Sequence, residues 1–437
     1  MRDPLTMFCY TDLSGQVRGK GFPSHQIEKR LTGGIGWTPN NIMFTALGTI
    51  APGLWGAHGD VMLMPDKSTG VEVDFQDGTA AERFYLCDVV NTDGTEWDCC
   101  PRSLLRDAAA DLFRETGLTL RATFEHEFIY TGANARAADM YALDAVRRHG
   151  TFGETYLGAL KAAGVEVDSY LAEFAAGQFE ITVPPQDALA ACDTAVIVKE
   201  LARATAFRLG HSVSFSPRVL ADGLGSGVHI HFSLWDDKGH PVSHDPARDF
   251  GLGEAAGQFV SGVVRHMPAL CAFTAPSPVS YLRLVSHSWT GVWSNVGYRD
   301  REAGIRICPT FGATPEAVAR QFNFEFRAAD ATANPYLQLA MILRAGLAGI
   351  REALPAPVPT KGEDPETMTP DQLAERRIVR LPTSAHAAFA ALKADAVLQS
   401  FLPETLLRAY IANKEAEFAL SRDWPPEELC RRYAEIY

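Results

Sequence analysis

Apolar and polar side chains alternate most regularly in four short stretches that lie far apart in the chain. In "TFEHEFIY", residues 123–130, Phe124, His126 and Phe128 oppose Glu125 and Glu127, because successive side chains of a strand point to opposite faces. "GQFEITV", residues 177–183, sets Gln178, Glu180 and Thr182 against Phe179, Ile181 and Val183. "GVHIHFSLW", residues 227–235, sets His229, His231 and Ser233 against Val228, Ile230 and Phe232. "NFEFRAAD", residues 323–330, sets Asn323, Glu325 and Arg327 against Phe324 and Phe326. Any one of these reads equally well as a surface strand with solvated charges. The four together predict a curved sheet whose apolar back packs on helices and whose front carries Glu, His and Arg.

The remaining pattern divides the chain. Residues 1–95 are short strand-like runs separated by Gly, Pro, Asn and Asp, which predicts a small sheet-rich domain. "LLRDAAADLFRETG", residues 104–117, has helical spacing and a glycine stop. A second helix is predicted over residues 187–210, capped by Asp187 and ended by Gly210. Beyond Pro355 comes a polar loop, "TKGEDPETMTPDQ", and then helices. The division expected is residues 1–96 and 97–437, in an α+β chain.

Composition narrows the function classes. A formal net charge of −13 disfavours nucleic-acid or anionic-membrane surfaces, which demand clustered Lys and Arg. The eight cysteines include no C-x-x-C pair, which points away from a zinc cage or disulfide framework and toward a reducing cytoplasm. No apolar run approaches the roughly 18 residues of a membrane span. A small-molecule substrate is therefore favoured.

Two glutamates on one strand face repel each other unless a proton or a cation intervenes, and carboxylates with imidazole favour Mg2+ or Mn2+ over thiolate-loving metals. "DGLGSG", with Gly223, Gly225 and Gly227, imitates a dinucleotide fingerprint, but these glycines lead into a strand rather than a helix. They are expected instead to let a backbone approach a substrate closely. Arg283, Arg299, Arg301, Arg306 and Arg327 fall within residues 283–327, among strand-like apolar neighbours. Surface ion pairs with Asp300 and Glu302 account for Arg299, whereas Arg301 and Arg306 fit an anion clamp. Metals with arginines are the usual equipment for phosphoryl transfer from ATP.

At these residues the chain resembles the glutamine synthetase family. The motifs run in family order: the Glu125/Glu127 strand, "EFAAGQFE" with Glu173 and Glu180, "GSGVHIHFSL", "SYLRLV", "RDREAGIRI" and "FEFRAADATANPYL". The resemblance implies a small N-terminal β-grasp domain, a large domain with a curved antiparallel sheet flanked by helices, and a homododecamer of two stacked hexameric rings with sites between subunits. It also implies one metal on Glu127, Glu173 and Glu180 and another on Glu125, His229 and Glu325. His231, Ser233 and Arg306 match nucleotide-side positions. Arg301 matches the arginine that steadies the transferred phosphoryl group, and Gly225, Arg283 and Arg327 match positions that hold glutamate. ATP would phosphorylate the γ-carboxylate of glutamate, and an amine would displace phosphate.

Departures from the family's pattern concern the amine. Where ammonia-using members follow the "RLV" arginine with a motif carrying a mobile glutamate, this chain reads "RLVSHSWTGVW", with Trp289 at that position. The aspartate that binds ammonium has no counterpart in "FTALGTIAPGLWGAHGD", and Leu224 replaces a usual Asn. An indole in place of an acid makes the amine pocket more apolar, so the expected product is a γ-glutamyl amide of a small primary amine, methylamine first. A polyamine would need further carboxylates for its distal ammonium, and the sequence points to none. The alternatives are glutamine synthesis from ammonia, a γ-glutamyl ligase for a polyamine, ethanolamine or an aromatic amine, and a catalytically silent family member with a regulatory role.

Overall fold

The computed structural model describes residues 2–136 and 139–437. Strands β1 (Leu5–Thr11), β2 (Val17–Pro23), β3 (Ile35–Trp37), β4 (Val61–Pro65), β5 (Val71–Val73) and β6 (Glu82–Asn91) form an N-terminal sheet in the order β2-β1-β6-β4-β3, with β5 also paired to β6. β1 runs parallel to β6, and the other pairs are antiparallel.

The second sheet contains β7 (Thr119–Tyr130), β8 (Ser169–Ala172), β9 (Gln178–Thr182), β10 (Gln186–Asp187), β11 (Val213–Ser214), β12 (Val228–Trp235), β13 (Val296–Tyr298), β14 (Ile305–Ile307) and β15 (Phe324–Phe326). Its order is β13-β14-β15-β12-β7-β9-β8, with β10 and β11 on β7, and only β13 and β14 pair in parallel. The four stretches with charged fronts are thus consecutive neighbours at its centre: β15, β12, β7 and β9. Register then brings the fronts together. His229 lies opposite Glu125, His231 opposite Glu325, and Glu127 opposite Glu180.

The backs of these strands fill the core. Phe124, Phe128, Ile181, Ile230 and Phe232 are buried and share a cluster with the helix Ala188–Arg208. Burying side chains of this size contributes about 1.5–3 kcal/mol each, which pins the register, since a slip of one residue would turn every glutamate into the core. His126 lies on this back face between Phe124 and Phe215, and burial pushes its imidazole down to about 3, so it packs as a neutral ring.

The predicted helices form as Pro101–Thr116, stopped by Gly117 at φ +68°, and Ala188–Arg208. Asp187 occupies the cap position of the second without a side-chain cap bond, and this helix ends before Gly210. The helices Glu254–Thr274 and Pro335–Arg351 cross at Gly262, where an added Cβ would sit 2.2 Å from the Ala345 carbonyl oxygen. Arg102 fastens the two sheets' regions: it donates to Asp66 at 2.7 Å and Asp88 at 2.9 Å on one side, and to Asp193 at 2.7 and 3.0 Å on the other. Among the described residues no helix is long and apolar enough to cross a membrane.

Candidate functional site

The charged front of the central strands opens into a cavity of about 460 Å3. Glu125 and Glu127 from β7, Glu180 from β9 and His229 from β12 line it, with Glu173 from the turn before β9. Arg283, Arg301, Arg327, Gly225, Leu224 and Trp289 complete the set that the sequence singled out on its walls. Glu127 is held in place by the Gly227 amide at 2.9 Å and the Gln178 side-chain amide at 3.2 Å.

Two electrostatic environments meet in the cavity. On the β9 side, burial and then the repulsion of Glu125, Glu127 and Glu173 push the Glu180 carboxyl up to about 10. Burial, followed by Glu127, raises Glu173 as well. On the β15 side, burial is outweighed: Arg327 above all, then His229, His231 and Arg306, hold Glu325 at about 2. Burial would likewise raise Glu125, but hydrogen bonds from His229 and His231 take it well below the usual carboxylate range. Burial and the nearby Arg327 keep His229 neutral.

These residues fit hard divalent cations. A carboxylate trio that repels itself into holding a proton is a site for a cation, and a neutral imidazole offers the lone pair that ligation requires. Nε2 of His229 is buried without a hydrogen-bond partner among the described residues. His229 Nδ1 lies 3.0 Å from Glu125 and 3.4 Å from Glu325. His231, matched by resemblance to the nucleotide side, has Nε2 3.4 Å from Glu125 and 3.9 Å from Glu325. Ligand atoms of Glu125, His231 and Glu325 lie within 4.8 Å of one another, so the structure adds His231 to the neighbourhood expected for His229.

The arginines differ from their sequence reading in two respects. Arg283 sits on a short helix, Ser280–Arg283, not on a strand, and donates to the Ala329 carbonyl at 3.1 Å. The glycines before β12 serve it directly: a Cβ on Gly227 would fall 2.3 Å from the Arg283 guanidinium, and one on Gly225 2.6 Å from its Cγ. Their close approach is to an arginine, while Gly225 still reaches the cavity. Arg306 and Arg327 both contact Glu325. Arg299 lies 5.0 Å over the Tyr298 ring rather than pairing with Asp300 or Glu302. Ser233 is turned to the Trp235 indole, which donates to it at 2.9 Å, and it does not line the cavity.

Sequence reasoning missed two rings. Phe174 stands 4.6 Å from Trp289 and 5.4 Å from Tyr141, and all three line the cavity beside Glu173. Phe174 follows Glu173 directly, a signal in "EFAAGQFE" that could have been read; Tyr141 had none. The structure also assembles the carboxylates that the sequence did not reveal. Asp300, Glu302, Glu363, Asp364 and Glu366 line a second cavity of about 160 Å3, which shares His287 with the first. Several are engaged: Asp364 with His287 at 3.0 Å, Glu366 with Arg380 at 2.7 Å, and Glu302 with the Trp289 amide at 2.8 Å.

Comparison with known proteins agrees with this architecture. Residues 3–97 match the model of the glutamine synthetase N-terminal domain, and residues 98–433 that of the glutamine synthetase catalytic domain. The gamma-glutamylpolyamine synthetase GlnA3 of Streptomyces coelicolor is 34% identical over 422 residues, covering 94% of this chain and 89% of that protein. A glutamine synthetase of Halobacterium salinarum is 30% identical over 444 residues, 98% of this chain and 93% of its own. Among solved structures, one described as a novel glutamine synthase homolog superposes with a TM-score of 0.92 at 37% identity, covering 100% of this chain and 99% of that one. A GmaS/ADP complex superposes with a TM-score of 0.80 at 25% identity, covering 97% and 95%. With the acidic cavity on the predicted strands and both halves of the chain matched, this protein belongs to the glutamine synthetase family of ligases.

Proposed function

We propose that the protein is an ATP-dependent ligase that joins the γ-carboxyl group of L-glutamate to a small primary amine, methylamine being the first substrate to try. The observation that supports this reading is the wall at Trp289, where an indole and the Phe174 ring stand in place of the carboxylate that ammonia-using relatives carry. On this reading residues 1–96 and 97–437 form the two domains. The working form is a cytoplasmic homododecamer of two stacked hexameric rings.

Glu127, Glu173 and Glu180 would hold one divalent cation and Glu125, His229 and Glu325 another, with His231 adjoining. Mg2+ or Mn2+ bound there neutralises charge on the phosphates and polarises the reacting oxygens. Arg283, Arg327 and the Gly225 backbone orient glutamate, and His231, Ser233 and Arg306 belong to the nucleotide side. A γ-carboxylate oxygen of glutamate attacks the γ-phosphorus of ATP and ADP departs, with Arg301 facing the transferred phosphoryl group. The acyl phosphate is a far better electrophile than the carboxylate. The amine nitrogen, having lost a proton, attacks the acyl carbon and expels phosphate.

A second reading, a diamine or polyamine, draws on the carboxylates of the adjoining cavity, which could meet a distal ammonium. The name of the Streptomyces relative points the same way. The test is phosphate release with ATP, glutamate and Mg2+ or Mn2+ across ammonium, methylamine, ethylamine, ethanolamine, putrescine, spermidine and aniline, with mass spectrometry of products. Preference for a monoamine supports the first reading and preference for putrescine or spermidine the second. Preference for ammonium, or no turnover with any amine, sinks both.

A further inference from the structure

We propose that Phe174 is a specificity-determining residue: its ring, with those of Trp289 and Tyr141, covers the carbon chain of the amine while the amine's nitrogen faces the glutamates. This deepens the reading of the site as a glutamate–amine ligase and holds for a monoamine or a diamine alike.

Three separate segments deliver these rings. Tyr141 precedes the helix Leu143–Arg148, Phe174 follows Glu173, and Trp289 lies in the loop after the helix Ser280–Arg283. Phe174 meets Trp289 at 4.6 Å with its plane tilted by 57°, and Tyr141 at 5.4 Å edge-on. The Trp289 and Tyr141 side chains remain 49% and 61% exposed. Large aromatics spend burial energy in the core when they can, and three of them at the mouth of an acidic cavity form an apolar patch with something to cover.

Two of these residues are also tied to Glu173. The Tyr141 hydroxyl donates to the two Glu173 carboxylate oxygens at 3.3 and 3.4 Å, and the Phe174 amide donates to one of them at 3.0 Å. Carboxylate and ring face are therefore held side by side. An alkylammonium uses both, its nitrogen on the carboxylates and its methylenes and positive charge against the rings. Ammonium has no carbon to cover, so the rings strip its water and return little. Covering one methylene is worth roughly four-fold in kcat/KM, the equivalent of about 0.8 kcal/mol.

The test compares wild type, Phe174→Ala, Phe174→Leu and Trp289→Ala as the purified full chain. The readout is the ratio of kcat/KM for propylamine to that for ammonium. Phe174→Ala should lower the ratio about ten-fold or more, and Phe174→Leu, which restores apolar area without a π face, should recover part of the loss. A ratio within about two-fold of wild type in Phe174→Ala, or an equal fall for both amines, overturns the proposal. Equilibrium binding of propylammonium and ammonium, with glutamate and a non-hydrolysable ATP analogue present, reads the same wall without turnover. If wild type turns over no amine yet binds propylammonium more tightly through Phe174, the wall stands and the reaction assigned to it falls. If it binds the two cations alike, the wall falls too.

Discussion

The guanidinium of Arg327 donates to the main-chain carbonyl of Trp289 at 2.7 Å while its other terminal nitrogen contacts Glu325. One side chain thereby spans the acidic cluster and the wall of the amine pocket. The Trp289 amide is held as well, by Glu302 at 2.8 Å, and between these anchors Trp289 adopts φ +57°. A left-handed conformation costs a non-glycine residue roughly 1 kcal/mol or more, so the surrounding contacts must impose it.

Arg327→Lys keeps the charge but loses the planar fork that serves two partners at once. We expect a roughly ten-fold rise in KM for glutamate together with a weaker preference for alkylamines, since each charge-assisted bond is worth on the order of 1.5 kcal/mol or more. Initial-rate kinetics with glutamate and with paired amines would check this. A change in the first quantity without the second would separate Arg327 from the amine wall.

Trp289→Glu returns an anion to the pocket. The ratio of ammonium to methylamine turnover should rise by an order of magnitude or so, the scale at which one pocket contact discriminates substrates. Product analysis in mixed-amine reactions is the measurement, and an unchanged ratio would remove Trp289 from substrate choice.

Glu127→Ala and His229→Ala act on the phosphoryl step that every amine shares, so phosphate release should fall about 100-fold or more with each amine tested. A loss confined to one amine would contradict their assignment to the metals.

Glu180→Gln removes one of the mutually repelling carboxylates beside β7 and β9. Without divalent metal the variant should be as stable as wild type or about 1 kcal/mol more so at neutral pH, because folding no longer has to take up a proton at this carboxyl. It should also gain less from Mn2+, whose stabilisation follows RT ln(1 + [L]/Kd). Thermal melts with and without Mn2+ would show it, and an undiminished metal increment would exclude Glu180 as a ligand.

Arg102→Met tests the fastening between the two sheets. Stripping Asp66, Asp88 and Asp193 of their shared cation should cost about 3 kcal/mol or more in denaturant unfolding. The pH dependence has a definite sign. Burial opposes it, but hydrogen bonds from Ser68 and Arg102 lower Asp66 from 3.8 to about 2, so its contribution is present above pH 4 and is lost as pH falls toward 2. The variant should show a shallower loss of stability across that interval, and an unchanged acid limb would mean Arg102 does not set it.

The strand pattern was legible because it needs only alternation. Phe124 and Phe128 go inward, Glu125 and Glu127 outward, and no tertiary contact is required to say so. Phe174 was hidden by the opposite circumstance. It sits in a turn without periodicity, and its one signal was its place directly after Glu173. Arg283 was misread for a similar reason, since apolar neighbours fit a short helix as well as a strand. The acids at 363–366 looked like an ordinary polar loop, and only the chain's return past His287 and Glu302 makes them a cavity lining.

By itself the sequence determined which side chains share a strand face, where the glycine-rich approach to β12 lies, and which charges must be compensated. Those follow from the two-residue period of a strand and from the cost of burying like charges. Tertiary structure alone decided that β15, β12, β7 and β9 are neighbours, that His231 joins Glu125 and Glu325, and that Phe174, Tyr141 and Trp289 meet. Contacts between residues far apart in the chain depend on strand order and register. These are set by how the apolar backs pack together, a property of the whole core rather than of any one stretch.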